Sequence, residues 1–318
     1  MNEVNAPVQS GCSVNKRRKL LKRIKKFIPI YIMMLPGLIY LLFNNLLPLP
    51  GLIVAFKKYN VRYGIYGSPW CGLQNFKYLF ANDAFYITRN TILYNAAFII
   101  INTTLSIAIA IILSEMGGRL KKLYQSAILL PYLLSTVILS YLVYAFLSTE
   151  QGLINRIIES FGGEAIAWYS TAKYWPFILI FVNAWKNVGY TCIVYLATIM
   201  GFDRTLYEAA AIDGASKWQQ IRSITIPMLR NMVIMMTLLN IGRIMYSDFG
   251  LFYQVPKNSG ALFSVTNTID TYVYRGLLEN NSIDTSAAAG FYQSIVGFVL
   301  VLGSNLIVRR KDPDSALF

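Results

Sequence analysis

Apolar residues come in long blocks along this chain rather than in alternation. Six runs stand out, at about residues 27–56, 85–113, 124–147, 174–200, 227–249 and 287–308. Each is close to or longer than the ~20 residues that carry a helix across ~30 Å of hydrocarbon. The pattern predicts an all-α membrane protein with about six transmembrane helices. Between the fourth and fifth blocks the character changes. Glu208 to Pro227 reads EAAAIDGASKWQQIRSITIP and is polar. Thr205 and Glu208 have capping-box spacing, as do Ser216 and Gln219. Ala209, Ala210 and Ala211 favour helix. Gly214 suits a left-handed helix stop, and Pro227 fits the first turn of the fifth span. The expectation for 202–227 is a short helix, a tight turn and a second helix outside the membrane. Its small side chains and glycine turn leave room for another backbone to approach.

Charge orients the spans. The net charge of +14 would point to nucleic acid in a soluble chain, but its placement says otherwise. Lys16, Arg17, Arg18, Lys19, Lys22, Arg23, Lys25 and Lys26 precede the first span. Arg119, Lys121 and Lys122, then Arg204, Lys217, Arg222 and Arg230, then Arg309, Arg310 and Lys311 mark alternate loops. The positive-inside rule then puts both termini in the cytoplasm, in a multi-pass protein with no nucleic-acid partner. The first cluster also suits anionic membrane lipid. Leu20, Leu21, Ile24, Phe27 and Ile28 lie near helical spacing within it, as an interfacial helix would require; a purely topogenic tail fits equally. The first apolar block exceeds a signal-peptide core and reads as a retained span. The organisation expected is a basic N-terminal segment (1–26), a first span with its outer loop (27–84), a transmembrane domain (85–310) and a cytoplasmic tail (311–318). The outer loop carries Tyr59, Tyr63, Tyr66, Trp70, Phe76, Tyr78 and Phe80, either an interfacial aromatic belt or a surface for an extracellular partner. Leu251–Ser286 reads as a third outer loop rich in Asn, Ser, Thr and Asp.

Composition removes several chemistries. There is no histidine, the commonest general base and metal ligand. The three cysteines form no CxxC pair, so neither a zinc site nor a disulfide framework is implied. No Gly-Lys step occurs, so the chain has no P-loop of its own.

Polar groups inside spans mark paths or helix contacts. In the fourth span Asn183, Lys186, Asn187 and Tyr190 fall at i, i+3, i+4 and i+7, on one helical face. In the fifth, Asn240, Arg243 and Ser247 fall at i, i+3 and i+7. These two faces are candidates to line a solute path, with amides and a phenol for sugar hydroxyls and Trp185 for stacking. The same residues would equally serve as inter-helix glue, or as a structural pairing of Lys186 with Asp248.

The pattern Glu208-Ala209-Ala210, Asp213-Gly214-Ala215, then Ile224 and Pro227, resembles the EAA loop of ABC importer permeases, the membrane subunits of type I binding-protein-dependent importers. Only Ile226, where leucine is usual, departs from it. The resemblance extends over about Phe85–Arg310. Trp185–Tyr195 (WKNVGYTCIVY), Asp270–Arg275 (DTYVYR) and the closing Ala316-Leu317-Phe318 look like the carbohydrate and polysaccharide branch. The resemblance implies a permease that moves a carbohydrate by alternating access. Its loop helix would sit in a groove on an ATP-hydrolysing subunit, with Gly214 and the alanines as packing surface, and Glu208 and Asp213 pairing with basic groups or capping backbone. It also implies a second permease subunit, two ATP-binding subunits that hold ATP and Mg, and an extracellular solute-binding protein. This chain itself would hold no cofactor and catalyse nothing. Two other readings compete. An autonomous secondary transporter or channel would leave the capped loop without a purpose. A membrane enzyme acting on glycans would draw carboxylates from Asp248, Asp270, Glu279 and Asp284, which show no acid–base spacing.

Overall fold

The computed structural model describes residues 12–311. The first 11 residues of the basic segment and residues 312–318 of the tail lie outside that range. Helix α1 (Cys12–Leu41) carries the basic stretch straight into the first apolar block, with Pro29 and Pro36 inside it. The expected interfacial helix is therefore not a separate element. The block ends in a π turn at Leu42–Leu46 and a 3₁₀ helix at Leu49–Phe56. The chain up to Ile53 forms one compact unit, and Val54 onward forms the other.

In the second unit, α2 (Gly64–Gly67) and α3 (Gln74–Asn82) fold the expected outer loop into a small platform. Lys57 is 4% exposed and donates to the carbonyls of Ile65 and Tyr66 at 3.1 and 2.8 Å. Asn75 donates to the carbonyls of Ala55 and Lys57. One apparent surface charge is thus a buried clip. The long helix α4 (Ala84–Glu115) follows.

The third apolar block is not one straight helix. It folds as α5 (Gly118–Leu133) and α6 (Thr136–Leu147), bent by 96°. Pro131 sits in the last turn of α5, and Ser135 caps α6 by accepting from the Ile138 amide. A helix stop and a helix start only residues apart force the bend. After α7 (Leu153–Ser160) comes α8 (Trp175–Met200), close to the expected fourth span. The cytoplasmic-loop candidate gives α9 (Arg204–Ile212) and α10 (Lys217–Gln220). Helix α11 (Ile226–Ile241) stops eight residues before the expected end of the fifth span. The expected third outer loop is ordered, with α12 (Phe263–Thr266) and α13 (Ile269–Leu278), and α14 (Ile283–Lys311) closes the chain. Among the described residues five helices qualify as spans by length and apolarity, or six when the bent pair counts as one.

Packing in the second unit centres on α4 against α8. Ser106 donates to the Val188 carbonyl at 3.1 Å, and Asn102 to the Asn183 side chain at 2.9 Å, so polar contacts tie a seam that has little hydrophobic drive in lipid. One buried cluster joins Tyr94, Phe98, Leu139, Trp175, Leu179 and Phe252 at the end of the bundle where α8 begins. Another joins Ala110, Leu113, Tyr195, Leu196 and Leu229 at the end that leads into α9. Gly189 brings α5 against α8, since a Cβ there would overlap the Ile128 carbonyl. Gly189→Ala should therefore destabilise the protein by about 1–3 kcal/mol through overpacking, read as unfolding in SDS mixed micelles. Gly290→Ala, where nothing lies within 4 Å of the new Cβ, is the control and should be neutral or slightly stabilising. Equal stability of the two variants would contradict this packing.

Candidate functional site

The segment 202–227 forms a rigid knuckle. Asp203, and not Thr205, caps α9, accepting from the Thr205 amide at 2.9 Å, so the expected Thr205–Glu208 capping box is not formed. The Thr205 amide and then its hydroxyl hold the Asp203 carboxyl below the ordinary 3.8. The cap is thus fully charged above that pH and is lost only as pH falls through the lower folded value. Gly214 takes φ +78° and closes α9. Its amide bonds the Ala211 carbonyl and the Ala215 amide bonds the Ala210 carbonyl, at 3.1 and 2.9 Å, the two bonds of a Schellman stop. Ser216 and Gln219 form the expected capping box for α10. That helix does not end. It passes through a π turn, Ile221–Thr225, into α11. Pro227 has no N–H and its ring crowds the carbonyl four residues back, so a widened turn just before it is the natural accommodation.

Three contacts brace the knuckle, and one of them reaches α4. The Tyr207 hydroxyl and Thr225 Oγ1 lie 3.0 Å apart, joining α9 to the π turn. Buried Gln220 donates to the Ala215 carbonyl. Lys217 pairs with Glu115 at the end of α4 at 3.1 Å, an exposed pair that fixes geometry more than it adds stability. Glu208 is exposed and, with Glu115, Lys121, Arg204 and Lys217, lines a polar cleft of about 440 Å³. Ala209, Asp213 and Gly214 face solvent, and Ile212 and Trp218 are 87% and 69% exposed. Ile224 is half-buried and Ala215 is half-buried behind the turn.

The polar stripe divides. Asn183 is 6% exposed and accepts from Asn102, so it is α4–α8 glue. Trp185 lines a cleft of about 670 Å³ among Leu142, Phe146, Phe177 and Phe181, apart from the polar groups, so the proposed stacking partner faces apolar surroundings. Lys186 donates to Thr136 Oγ1 at 2.9 Å, at the break between α5 and α6, and forms no pair with Asp248. Asn187 bonds back to the Asn183 carbonyl, and Tyr190 stacks on Tyr132 at 4.8 Å, half exposed. In the fifth block only Asn240 lies on α11. Arg243 and Ser247 lie in the turns after it, so the expected continuous helical face does not exist. Asn240 and Arg243 are exposed. Ser247 is bonded through its amide and hydroxyl to Asp270, at 2.6 and 2.8 Å, and to Thr268.

The early end of α11 is stabilised from afar. Asn95 of α4 donates to the Ile244 and Tyr246 carbonyls, and Gln293 of α14 to the Met245 carbonyl and to Asp270. These side chains give a broken helix the partners that lipid cannot supply. Sequence reasoning missed Asn95, Gln293 and the role of Asp270; only Gly242 signalled the stop. The DTYVYR segment is structural too. Arg275 is 6% exposed and donates to Asn258 and Asn267, both at 2.8 Å. Burial lowers its pKa, opposed by Glu279. The four carboxylates weighed as catalytic groups all accept hydrogen bonds within the fold: Asp248 from the Leu251 amide, Asp284 from the Thr285 amide, Glu279 from Tyr253 and Asn258, and Asp270 as above. Among the described residues no His, Cys, Asp or Glu cluster could hold a metal.

Comparison with known proteins follows the same segment. The family model for the binding-protein-dependent transport system inner membrane component matches residues 87–312. The polygalacturonan/rhamnogalacturonan transport system permease protein YteP of Bacillus subtilis (strain 168) is 33% identical over 93% of this chain and 92% of its own length. Protein LplB of the same organism is 31% identical, covering 90% of each chain. A chain in the crystal structure of a bacterial ABC transporter involved in the import of the acidic polysaccharide alginate superposes with a TM-score of 0.84 at 30% identity, covering 92% of this chain and 99% of that one. With the knuckle, the broken spans and the helix order all inside the matched region, this chain belongs to the binding-protein-dependent transport system inner membrane components.

Proposed function

We infer that this chain is one membrane permease subunit of an ATP-driven carbohydrate importer in a bacterial cytoplasmic membrane. It works with a second, different permease subunit, two ATP-hydrolysing subunits that hold ATP and Mg, and an extracellular solute-binding protein. The observation that carries this reading is the knuckle. A segment with a capped start, a Schellman stop and a second cap presents Ile212, Asp213, Gly214 and Trp218 to solvent, and among the described residues nothing lies within 4 Å of a Cβ added at Gly214. So much ordered, partly apolar exposed surface calls for a protein partner. Its ties to α4 and α11 make it a lever: a partner that moves α9 moves the ends of two spans. Alternating access is then a two-state change biased by nucleotide on the partner. The basic loops support both termini and the knuckle on the cytoplasmic side.

The solute is a saccharide, and two observations support an acidic one. Relatives that cover nearly the whole chain are named for polygalacturonan and alginate import. Lys186 and Arg243 have no carboxylate partner among the described residues, so an anionic solute would meet unneutralised cations. Lys186, Asn187, Tyr190, Asn240 and Arg243 are the path residues of this reading. Asn183 and Ser247 drop out because their polar groups are bonded within the fold, and Trp185 because it lines the apolar cleft.

Two measurements test it. Gly214→Asp adds a charged side chain at the open turn and a strained positive φ. It should abolish co-purification of the ATP-hydrolysing subunit while the spans still insert; normal co-purification would remove the coupling role. Lys186→Ala and Arg243→Ala should each lower uptake of galacturonate oligosaccharides by about tenfold, the scale of one charged hydrogen bond, with assembly intact. Unchanged uptake in both would show that the solute passes elsewhere.

A further inference from the structure

At the end of the bundle away from the knuckle, Pro256–Ser259 makes a turn that no regular element requires. Lys257 and Asn258 both adopt left-handed backbone, with φ of 55° and 50°. Two successive non-glycine residues there are disfavoured, and such strain persists only where the surroundings over-determine it. Here they do. The buried Arg275 guanidinium donates to Asn258 Oδ1 at 2.8 Å, and Asn258 Nδ2 donates to Glu279. Tyr169 donates to the Val255 carbonyl and Ser259 donates to the Tyr169 carbonyl, pinning both flanks.

The held turn delivers one side chain. Lys257 Nζ lies 3.6 Å from the ring centroid of Tyr141 and 5.6 Å from that of Tyr144, one helical turn on along α6. It also donates to Ser140 Oγ at 3.4 Å, whose own proton goes to the Val137 carbonyl. The two rings remain 65% and 46% exposed. The nearby carboxylate, Glu279, accepts from Tyr253 and Asn258 and forms no ion pair with Lys257. The ammonium is therefore oriented by aromatic faces and a hydroxyl, with donor capacity left over and no counter-ion among the described residues.

We propose that Lys257, Tyr141 and Tyr144 form an entry subsite for a uronate residue, the ammonium binding the sugar carboxylate and the ring surface that Lys257 leaves uncovered meeting the sugar. This rests on the saccharide-import reading and adds to it a recognition site outside the path residues. Phenol rings suit the C–H faces of a pyranose, and a lysine already steered by those rings pays little ordering entropy when a carboxylate arrives.

The test uses the importer reconstituted in proteoliposomes with its partner subunits and solute-binding protein, with galacturonate trisaccharide and its fully methyl-esterified form as probes. Lys257→Met should raise the half-saturating concentration for the acid about tenfold, the scale of a charge-assisted hydrogen bond, and leave the ester within about twofold. Lys257→Arg should restore most of the acid's affinity. Tyr141→Leu should weaken both probes alike, because it removes the ring contact and not the charge. Co-purification of the partners verifies that each variant assembles; Lys257 is exposed, so its loss opens no cavity. An unchanged acid response in Lys257→Met, or equal losses for acid and ester, overturns the subsite. A wild-type importer that moves the ester and not the acid overturns it while leaving saccharide import standing. One that moves neither probe overturns the subsite and the acidic-solute reading together, and leaves saccharide import standing on the family match.

Discussion

Every helix that stops in or beside a membrane leaves backbone groups that hydrocarbon cannot satisfy, and this chain stops helices repeatedly. That constraint explains more of its polar residues than solute binding does. Where α11 ends at Ile241, the carbonyls of Ile244, Met245 and Tyr246 and the amide of Ser247 are taken up by Asn95, Gln293 and Asp270. Where α5 gives way to α6, Ser135 caps the new helix and Lys186 reaches in to Thr136. Each break is thereby fixed at one place by side chains from several helices, so it can act as a defined joint instead of a soft point.

The same bookkeeping of donors and acceptors makes the knuckle stiff. Asp203, the Schellman bonds at Gly214, the Ser216–Gln219 box and the Gln220–Ala215 contact leave few free backbone groups in a segment with little buried apolar area of its own. Stiffness matters because α10 is continuous with α11 through the π turn. A force on Ile212 or Trp218 reaches the fifth span along a helix, and reaches α4 through Lys217 and Glu115. A flexible loop would absorb that displacement.

Much of this was legible in the residues, and the limits are instructive. Four apolar blocks mapped well onto helices because length and apolarity suffice for a span. The second capping box and the Gly214 stop were readable because they depend on neighbours a few residues away. The break at Leu134–Ser135 had local signals, Pro131 and the Ser-Thr pair, which a count of apolar residues overrode. Asp203 was likewise a local signal, displaced by the better-known spacing of Thr205 and Glu208. The end of α11 was signalled only by Gly242, because its stabilising partners lie more than 20 residues away on three other helices. The polar stripe leaves both readings open for the same reason: spacing shows that Asn183 and Lys186 share a face, but not that one meets Asn102 and the other Thr136. Lys257 was invisible, since its setting depends on α6 and on a buried Arg275 read earlier only as part of a motif.

The central claim is that the exposed turn of the knuckle seats on an ATP-hydrolysing subunit. Site-specific crosslinking tests it directly. A single cysteine at Ile212, in a chain with Cys12, Cys71 and Cys192 replaced by serine, should crosslink efficiently to that subunit in the assembled importer, and the yield should change when ATP is added. A cysteine at Phe177, on the apolar cleft of α8, should not. No crosslink from Ile212 in an assembly that still hydrolyses ATP and transports would contradict the account.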